Sequence, residues 1–237
     1  MESKTDMTLR ISPIVSSDTG NKGSLSKSDQ TYLYIRNLIL PAQMKPGQRI
    51  NEDELSSALN ASRTPIREAL RRLSNDGLIT IYPKRYTEVT VCSPEVSKTL
   101  GIVRLSQDIL AGRLAIYYGS DAEFTQLYEL AKQCEQCDAT GDLFHRISAD
   151  HAFHLKITEI GKNELLMKYQ QDLYLRLHLL QIQYAASWDD KVQRVRHHQN
   201  ILEALTHRDE AAYINTVKTR YQEIFSLDPR VLEMCAK

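Results

Sequence analysis

The residues with the clearest chemical potential lie in an arginine-rich run at residues 63–73. Apolar residues in this run recur at the i, i+3, i+4, i+7 spacing of a buried helix face: Ile66, Ala69, Leu70 and Leu73. The opposite side is left to Arg63, Thr64, Arg67 and Arg71. An arginine side chain can bond to the O6/N7 edge of guanine at two points, which contributes roughly 1–3 kcal/mol of discrimination between bases. The run therefore predicts a helix that reads DNA.

A second helix is predicted directly before the arginine helix. Residues 51–55 open with acidic side chains that favour a helix start, and residues 60–62 form a turn. Ser62 has the side chain of an N-cap, whose oxygen can accept a hydrogen bond from an amide of the first turn. Pro65 falls in that turn, where a missing N–H does no harm. The spacing therefore predicts a helix-turn-helix whose second helix begins near Arg63 and enters the DNA major groove.

A basic hairpin is predicted after the arginine helix. A glycine can end that helix, and the strand-like residues 78–82 and 87–92 leave a tip that carries Lys84 and Arg85. Another helix is predicted in front, at residues 28–40. An arginine stripe alone is more typical of a solvated surface helix. Here the cap, the preceding helix and the basic hairpin occur together, and this combination favours DNA binding.

The chain is predicted to be almost wholly helical after Ser93 and Pro94, which form a cap followed by a first-turn proline. Six segments with short loops are expected, at residues 94–118, 121–138, 142–160, 163–185, 190–207 and 209–226. Helices joined by short loops form an antiparallel bundle. Residues 1–27 are rich in Ser, Thr, Lys and Asp without periodicity, which predicts a disordered tail.

Several polar residues of the predicted bundle lie on helix faces that are otherwise apolar. Asp150 and His154 are one turn apart on one such face. Three more lie on similar faces of other helices: His198, Arg104 and Arg220. A buried carboxylate costs free energy unless it is paired or bound to a metal. The pattern therefore indicates a polar cavity inside the bundle.

Each of these residues also has a plainer interpretation. Asp150 could be the salt-bridge partner of a core arginine. A single histidine on an apolar face is usually a packed core or interface residue. That interpretation, or simple exposure, is preferred for five other histidines: His145, His151, His178, His197 and His207.

Composition limits where the protein acts and how it meets DNA. Thirty basic and thirty acidic residues give zero formal net charge, so any DNA affinity must come from the local arginine cluster and from its duplication in a dimer. Four scattered cysteines do not make a secreted disulfide framework. We expect a cytoplasmic protein, because there is no apolar run of membrane-spanning length and no leader peptide.

Three segments of the first third of the chain carry a family resemblance. They are Asn-Glu-x-Glu-Leu at residues 51–55, Ser-Arg-Thr-Pro-Ile-Arg-Glu-Ala-Leu-Arg-Arg-Leu at residues 62–73, and Gly-Leu-Ile at residues 77–79. Together they resemble the winged helix-turn-helix of the GntR family of bacterial transcription regulators.

The resemblance implies base and phosphate contacts from Arg63, Thr64 and Arg67, and wing contacts from Lys84 and Arg85. One departure concerns the wing itself. The family commonly carries an arginine-glycine pair there, whereas this chain has tyrosine after its wing arginine. Glycine permits close backbone approach, so the resemblance does not extend to insertion of this wing into the minor groove.

The second part of the chain resembles another domain of the same family. The run Asp-His-Ala-Phe-His at residues 150–154 and the run His-Gln-Asn-Ile-Leu-Glu-Ala-Leu at residues 198–205 are similar to the FCD domain. This is the helical effector-binding domain of the FadR-type branch of GntR regulators, and the similarity covers most of residues 94–226. It implies that an aspartate and up to three histidines hold a divalent metal, which in turn can bind a small carboxylate effector.

By position, the resemblance makes Asp150, His154 and His198 the first three metal ligands. Arg220 stands where the last histidine is expected. Two imidazoles and one carboxylate can hold zinc, nickel or manganese with open positions. An arginine beside them would weaken a bare metal site but would suit an anionic ligand. Two interpretations stay open: a metal site, or a metal-free carboxylate pocket that uses Arg104, Arg220 and the histidines.

The expected fold is mainly α, with a winged helix-turn-helix at residues 28–93 and an all-helical effector-binding and dimerisation domain at residues 94–237. The expected function is transcription regulation, mostly repression, by a homodimer on a pseudo-palindromic operator. A carboxylate effector would shift the spacing of the two recognition helices. Two alternatives are a metal-dependent enzyme built on the bundle and an architectural DNA-binding protein without a ligand. The first has no visible nucleophile-and-base motif or phosphate loop, and the buried polar cluster disfavours the second.

Overall fold

A computed structural model describes residues 25–188 and 191–237. The tail predicted for residues 1–27 lies almost wholly outside these residues. The described chain is mainly α, with ten helices and one small sheet. Within the same residues, no helix combines the length and the apolar character needed to cross a membrane.

The N-terminal part contains three helices and a three-stranded antiparallel sheet. Its elements are α1 (Lys27–Ile39), β1 (Arg49–Ile50), α2 (Glu52–Leu59), α3 (Arg63–Asn75), β2 (Ile79–Tyr82) and β3 (Tyr86–Val89). The strands lie in the order β1-β3-β2. The predicted order of three helices and a hairpin is confirmed. The strand β1 was not predicted, because two residues are too few to show a period.

Helix α3 begins at Arg63, as predicted, but its cap differs from the prediction. Ser62 has the extended backbone of an N-cap, yet among the described residues its side chain makes no capping hydrogen bond. The predicted face is buried in full: Ile66, Ala69, Leu70 and Leu73. It packs against Ile35 and Ile39 of α1. Burial of this apolar face therefore fixes α3 and leaves its arginine side to solvent.

The second part is a helical bundle. Its helices are α4 (Pro94–Tyr118), α5 (Asp121–Thr140), α6 (Leu143–Ile160), α7 (Glu164–Trp188), α8 (Lys191–Thr206), α9 (Glu210–Phe225) and α10 (Pro229–Ala236). The six predicted helices are present, with ends within three residues of the predicted positions. The helix α10 was missed, although Asp228 and Pro229 give it the same cap-and-proline start that was read correctly for α4.

Two glycines let α9 approach α4 closely. A Cβ atom on Gly112 would lie 2.0 Å from the ring of Tyr213, and one on Gly101 would lie 2.5 Å from the ring of Phe225. Both distances are far below van der Waals contact, so any larger residue would push the helices apart. This close packing brings Tyr221 of α9 beside the polar residues of α4.

The helix α7 joins the two parts of the molecule. His178 donates from Nε2 to the carbonyl oxygen of Leu40 at 2.9 Å. Arg176 donates to the carbonyl oxygen of Asn75 at 2.6 Å. The side chain of Leu179 belongs to the apolar core of the N-terminal part. The helices of the N-terminal part are therefore packed against the bundle and are not attached by a free linker.

The buried His178 makes this contact sensitive to acid. Burial lowers the pKa of His178 to about 4, because an imidazolium ion is poorly solvated there. Below about pH 6.5 the unfolded chain takes up a proton that the folded protein does not bind until about pH 4. Acidification across that window therefore destabilises the folded state.

We expect urea unfolding to show a loss of stability between about pH 7.5 and about pH 5 that is about 2 kcal/mol larger in the native protein than in His178→Gln. The glutamine amide can still donate to Leu40 but does not titrate. Equal losses in the two proteins would contradict this assignment.

Candidate functional site

The exposed side of α3 carries the residues predicted to contact DNA. Arg63, Thr64, Arg67 and Arg71 are all exposed. Two of them are paired with the acidic first turn of α2: Arg63 lies 3.0 Å from Asp53, and Arg67 lies 2.9 Å from Glu52. Exposed pairs of this kind contribute only about 0–1 kcal/mol. Both arginines can therefore exchange these carboxylates for DNA phosphates or base edges at small cost.

Arg72 lies off that face, and it has a structural role. Its guanidinium pairs with Asp29 at 2.6 Å and lies 4.6 Å from the ring centre of Tyr32. The hydroxyl of Tyr32 donates to Asp76 at 2.6 Å. These contacts tie the start of α1 to the end of α3.

The tip of the β2–β3 hairpin presents Lys84 and Arg85 to solvent. Lys84 has a positive φ of 59°, which lets three residues close the turn. At the base of the tip the rings of Tyr82 and Tyr86 pack with their centres 4.6 Å apart. Tyr86, which stands where the resemblance implies a glycine, thus closes the base of the wing and leaves both cations exposed at its tip.

Inside the bundle, the structure brings together the three predicted metal ligands. Asp150 and His154 come from α6, and His198 comes from α8. The Nε2 atom of His198 lies 3.1 Å from Oδ1 of Asp150, and Nε2 of His154 lies 4.0 Å from the same oxygen. One ligand atom from each residue falls within 4.8 Å of the other two. Two imidazoles and a carboxylate at this separation fit one divalent ion after a small adjustment.

The protonation states of these groups also suit a metal. Burial opposes ionisation of Asp150, but the hydrogen bond from His198 and the nearby cationic groups outweigh it and hold the pKa of Asp150 well below its usual value. Burial and the charge of Arg104 lower the pKa of His154 well below its ordinary value. An ionised carboxylate and a neutral imidazole are the forms that bind metal.

Arg104 lies in the wall of this cluster, between two carboxylates. It is 3.4 Å from Asp108 and 3.8 Å from Asp150. Asp108 also accepts hydrogen bonds from Gln170 at 2.9 Å and from the hydroxyl of Tyr221. Burial raises the pKa of Asp108, against the effect of Arg104. The pKa of Asp150 moves the other way, so Asp150 is the more readily ionised of the two carboxylates.

A cavity of about 40 Å³ lies at the centre of this cluster. The residues predicted for metal and effector binding all line it: Arg104, Asp150, His154, His198 and Arg220. Roughly 10–15 Å³ of such space is enough to hold one water. The cavity can therefore hold an ion with one or two small ligand groups, such as the head of a carboxylate.

Sequence reasoning missed other residues of the cavity, above all His197. It was assigned to the core or surface, but it lines the cavity beside His198, and its ring centre lies 5.9 Å from that of His154. Burial and the charges of His198 and Arg220 lower its pKa well below the ordinary value. Gln181 and Tyr221 line the same space. The adjacent pair of histidines was a visible signal, but neighbours on a helix point about 100° apart, so whether both reach one cavity depends on how the helix is rotated.

Two sequence profiles match the chain. Residues 27–89 match the profile described as bacterial regulatory proteins of the gntR family, and residues 103–222 match the FCD domain. The chain belongs to the GntR family. It is a transcription regulator of the FadR-type branch with an FCD effector domain. It is not an enzyme, because the related proteins with known roles are transcription regulators.

Relatives of this GntR regulator span most of its length. The Nta operon transcriptional regulator of Aminobacter aminovorans is 31% identical over 159 residues, which are 66% of this chain and 72% of the relative. The transcriptional repressor RspR of Escherichia coli is 25% identical over 197 residues, which are 83% and 86% of the two chains. The structure of McbR from E. coli has the same fold, with a TM-score of 0.67, 21% identity and coverage of 90% and 100% of the two chains.

Membership of the family establishes the general nature of both sites. GntR regulators bind DNA operators, and FCD domains bind small-molecule effectors and often a metal. Arg220, which stands where the resemblance implies the last histidine ligand, lines the cavity with its side chain 11% exposed. Burial lowers the pKa of Arg220, although not enough to discharge a guanidinium at neutral pH.

Proposed function

We propose that this GntR regulator is a homodimeric, cytoplasmic repressor whose operator affinity is set by a small carboxylate. The carboxylate would bind at a divalent metal in the cavity of about 40 Å³ described above, which we call the FCD cavity. The observation that carries the proposal is the convergence of Asp150, His154 and His198 on one cavity with two arginines. Zinc, nickel or manganese bound there would supply a positive centre with open positions for a carboxylate. Arg220 would then bind the same carboxylate through its planar fork.

A metal-free carboxylate pocket is the second candidate. Arg104 and Arg220 both face the cavity, and a cation in the place of a ligand weakens the case for a bare metal ion. The two versions differ in what the histidines do: they ligate a metal in the first and donate hydrogen bonds to an anion in the second. Both keep the effector in the same cavity.

DNA reading is assigned to the exposed side of α3 and to the wing. Arg63, Thr64, Arg67 and Arg71 would contact bases and phosphates, and Lys84 and Arg85 would contact the backbone beside the groove. Because the whole chain has zero formal net charge, affinity depends on these local cations. The name of the relative RspR, a transcriptional repressor, supports repression as the direction of control.

An exposed apolar stripe on α4 supports a dimer. Val96, Val103, Leu110 and Tyr117 recur every seven residues, and each has at least 43% of its surface exposed. A heptad stripe of this kind is typical of a helix that packs against another helix. A second copy of the regulator on this face would bury the stripe and set the spacing between two recognition helices.

The recognition residues can be tested on an operator fragment selected by the native protein from a random DNA pool. We expect Arg67→Ala to weaken binding by about tenfold to a hundredfold with an unchanged melting temperature, because one arginine contact to a base is lost. The control is Arg72→Ala, which removes an arginine of the same helix that pairs with Asp29 and should change affinity by less than about threefold. Full binding by Arg67→Ala would contradict the assignment of α3.

The metal site can be tested by thermal unfolding of chelator-treated protein with added zinc, nickel or manganese. At a hundredfold excess over Kd, we expect a saturable rise in melting temperature of roughly 5–10 °C. Asp150→Ala and His198→Ala should lose the rise, whereas His207→Ala, which removes an exposed histidine, should keep it.

The same measurement separates the two candidates. If metals have no effect but small carboxylates stabilise the native protein and not Arg220→Gln, the metal-free pocket is the correct version. If neither metals nor carboxylates stabilise the protein, both versions of the effector proposal fail.

The dimer can be tested by sedimentation. Leu110→Glu should convert the protein to a monomer, because a carboxylate cannot be buried unpaired in the α4 interface. Tyr128→Glu, which changes an exposed aromatic residue of α5, is the matched control and should remain dimeric. A dimer that survives Leu110→Glu would rule out the α4 stripe as its interface.

A further inference from the structure

A second, larger cavity lies between the DNA-binding part and the bundle. Its volume is about 440 Å³, within the range of sites that hold small organic ligands. Arg36 and Leu40 line it from α1 and its C-cap, and residues of α6 and α7, with Leu130 of α5, form the opposite wall. None of the described residues that line it also lines the FCD cavity.

Unpaired polar atoms are concentrated in the walls of this interdomain cavity. Among the described residues, six buried side-chain nitrogen or oxygen atoms have no hydrogen-bond partner. Three of the six belong to residues that line it: Arg36 Nε, Ser148 Oγ and the hydroxyl of Tyr174. Tyr174 is only 4% exposed. Buried polar groups in native proteins are nearly always paired with protein, water or a ligand, so these three atoms mark where a bound molecule could be held.

We propose that the interdomain cavity is a second effector site, for an organic acid with an aromatic or aliphatic body. Leu130, Leu155 and Leu175 give the cavity apolar walls that suit such a body. Arg36 can donate to a carboxylate. The FCD cavity, at about 40 Å³, has no room for a body of this size.

The histidines in the wall of the interdomain cavity are already engaged. His151 hydrogen-bonds through Nε2 to Gln181 at 2.7 Å, and its ring stacks on Tyr174 with the centres 4.5 Å apart. His178 donates to Leu40. This leaves Arg36, with its unpaired Nε, as the cationic group that an acid would meet. Lys156 also lines the cavity, but it is paired with Glu159 at 2.8 Å.

A ligand in the interdomain cavity is placed where it could change DNA affinity. One wall belongs to α1, which packs on the recognition helix α3, and the other belongs to the bundle. A bound acid would fix how the DNA-binding part sits on α6 and α7. Two contacts join the linings of the two cavities. His151 of the interdomain cavity hydrogen-bonds to Gln181 of the FCD cavity, and Tyr174 of the interdomain cavity has its ring centre 5.3 Å from the guanidinium of Arg104, which lines the FCD cavity. The two sites are therefore placed to influence each other.

The test uses the full-length protein in chelator, with indole-3-acetate and octanoate as probes and calorimetry as the measurement. We expect saturable binding of at least one probe, with little binding of indole-3-acetamide, which lacks the charge. Arg36→Gln should weaken binding by about tenfold or more.

Ala152→Trp, which adds an indole ring to the lining of the cavity, should abolish binding. A cooperative thermal transition in each variant establishes that it is folded, and Ser148→Ala provides a third, milder variant.

The key control is Arg220→Gln, which alters the FCD cavity. Probe binding that survives Arg220→Gln and is lost in Ala152→Trp supports the interdomain site, whatever the outcome for the metal. The reverse pattern would place the probe in the FCD cavity and overturn the inference. So would a lack of saturable binding of both acids at millimolar concentration, because the cavity would then hold only water. The coupling to DNA, which rests on the proposed function, fails separately if a bound probe leaves operator affinity unchanged.

Discussion

The buried cation of Arg104 is the group on which the arrangement of the bundle depends. It lies between Asp108 on its own helix and Asp150 on α6, while donors from α7 and α9 complete the bonding of Asp108. An unpaired charge in this position would be costly, so the helices must keep the register that pairs it. The pairing of Asp150 with Arg104 also positions Asp150 beside the two histidines. The scaffold and the effector cavity therefore rest on one set of electrostatic contacts.

The helix α7 extends this frame to the DNA-binding part. It supplies Gln170 to the network around Arg104, and farther along it contributes Leu179 to the core beneath the recognition helix. Between these points it forms a wall of the interdomain cavity. One continuous helix thus touches the buried charges, a cavity and the DNA-binding core. Such a rigid element can carry a small displacement from an effector cavity to the helices that meet the operator.

Much of this could be predicted from local pattern. The buried face of α3 follows from helical periodicity. The convergence of Asp150, His154 and His198 followed from their positions on otherwise apolar helix faces, together with the family resemblance. The failures have physical causes. The cap oxygen of Ser62 is unused although its backbone is correct, because residue type does not fix a rotamer. The role of His197 depends on how α8 is rotated against its neighbours, and the interdomain cavity depends on how two domains meet. No short stretch of sequence contains that information.

The ion pairs that link α2 to α3 have a consequence for how the regulator searches a chromosome. Glu52 and Asp53 pair with Arg67 and Arg63, the two arginines that would contact DNA on the proposed assignment of α3. Any DNA segment must displace them, and each displacement lowers affinity by up to about fivefold. A DNA segment stays bound for long only if direct contacts to its bases offset the free energy lost in displacing the carboxylates. On the proposed assignment, the acidic turn would shorten the time that the protein spends on non-operator DNA, and it would add selectivity without touching a base.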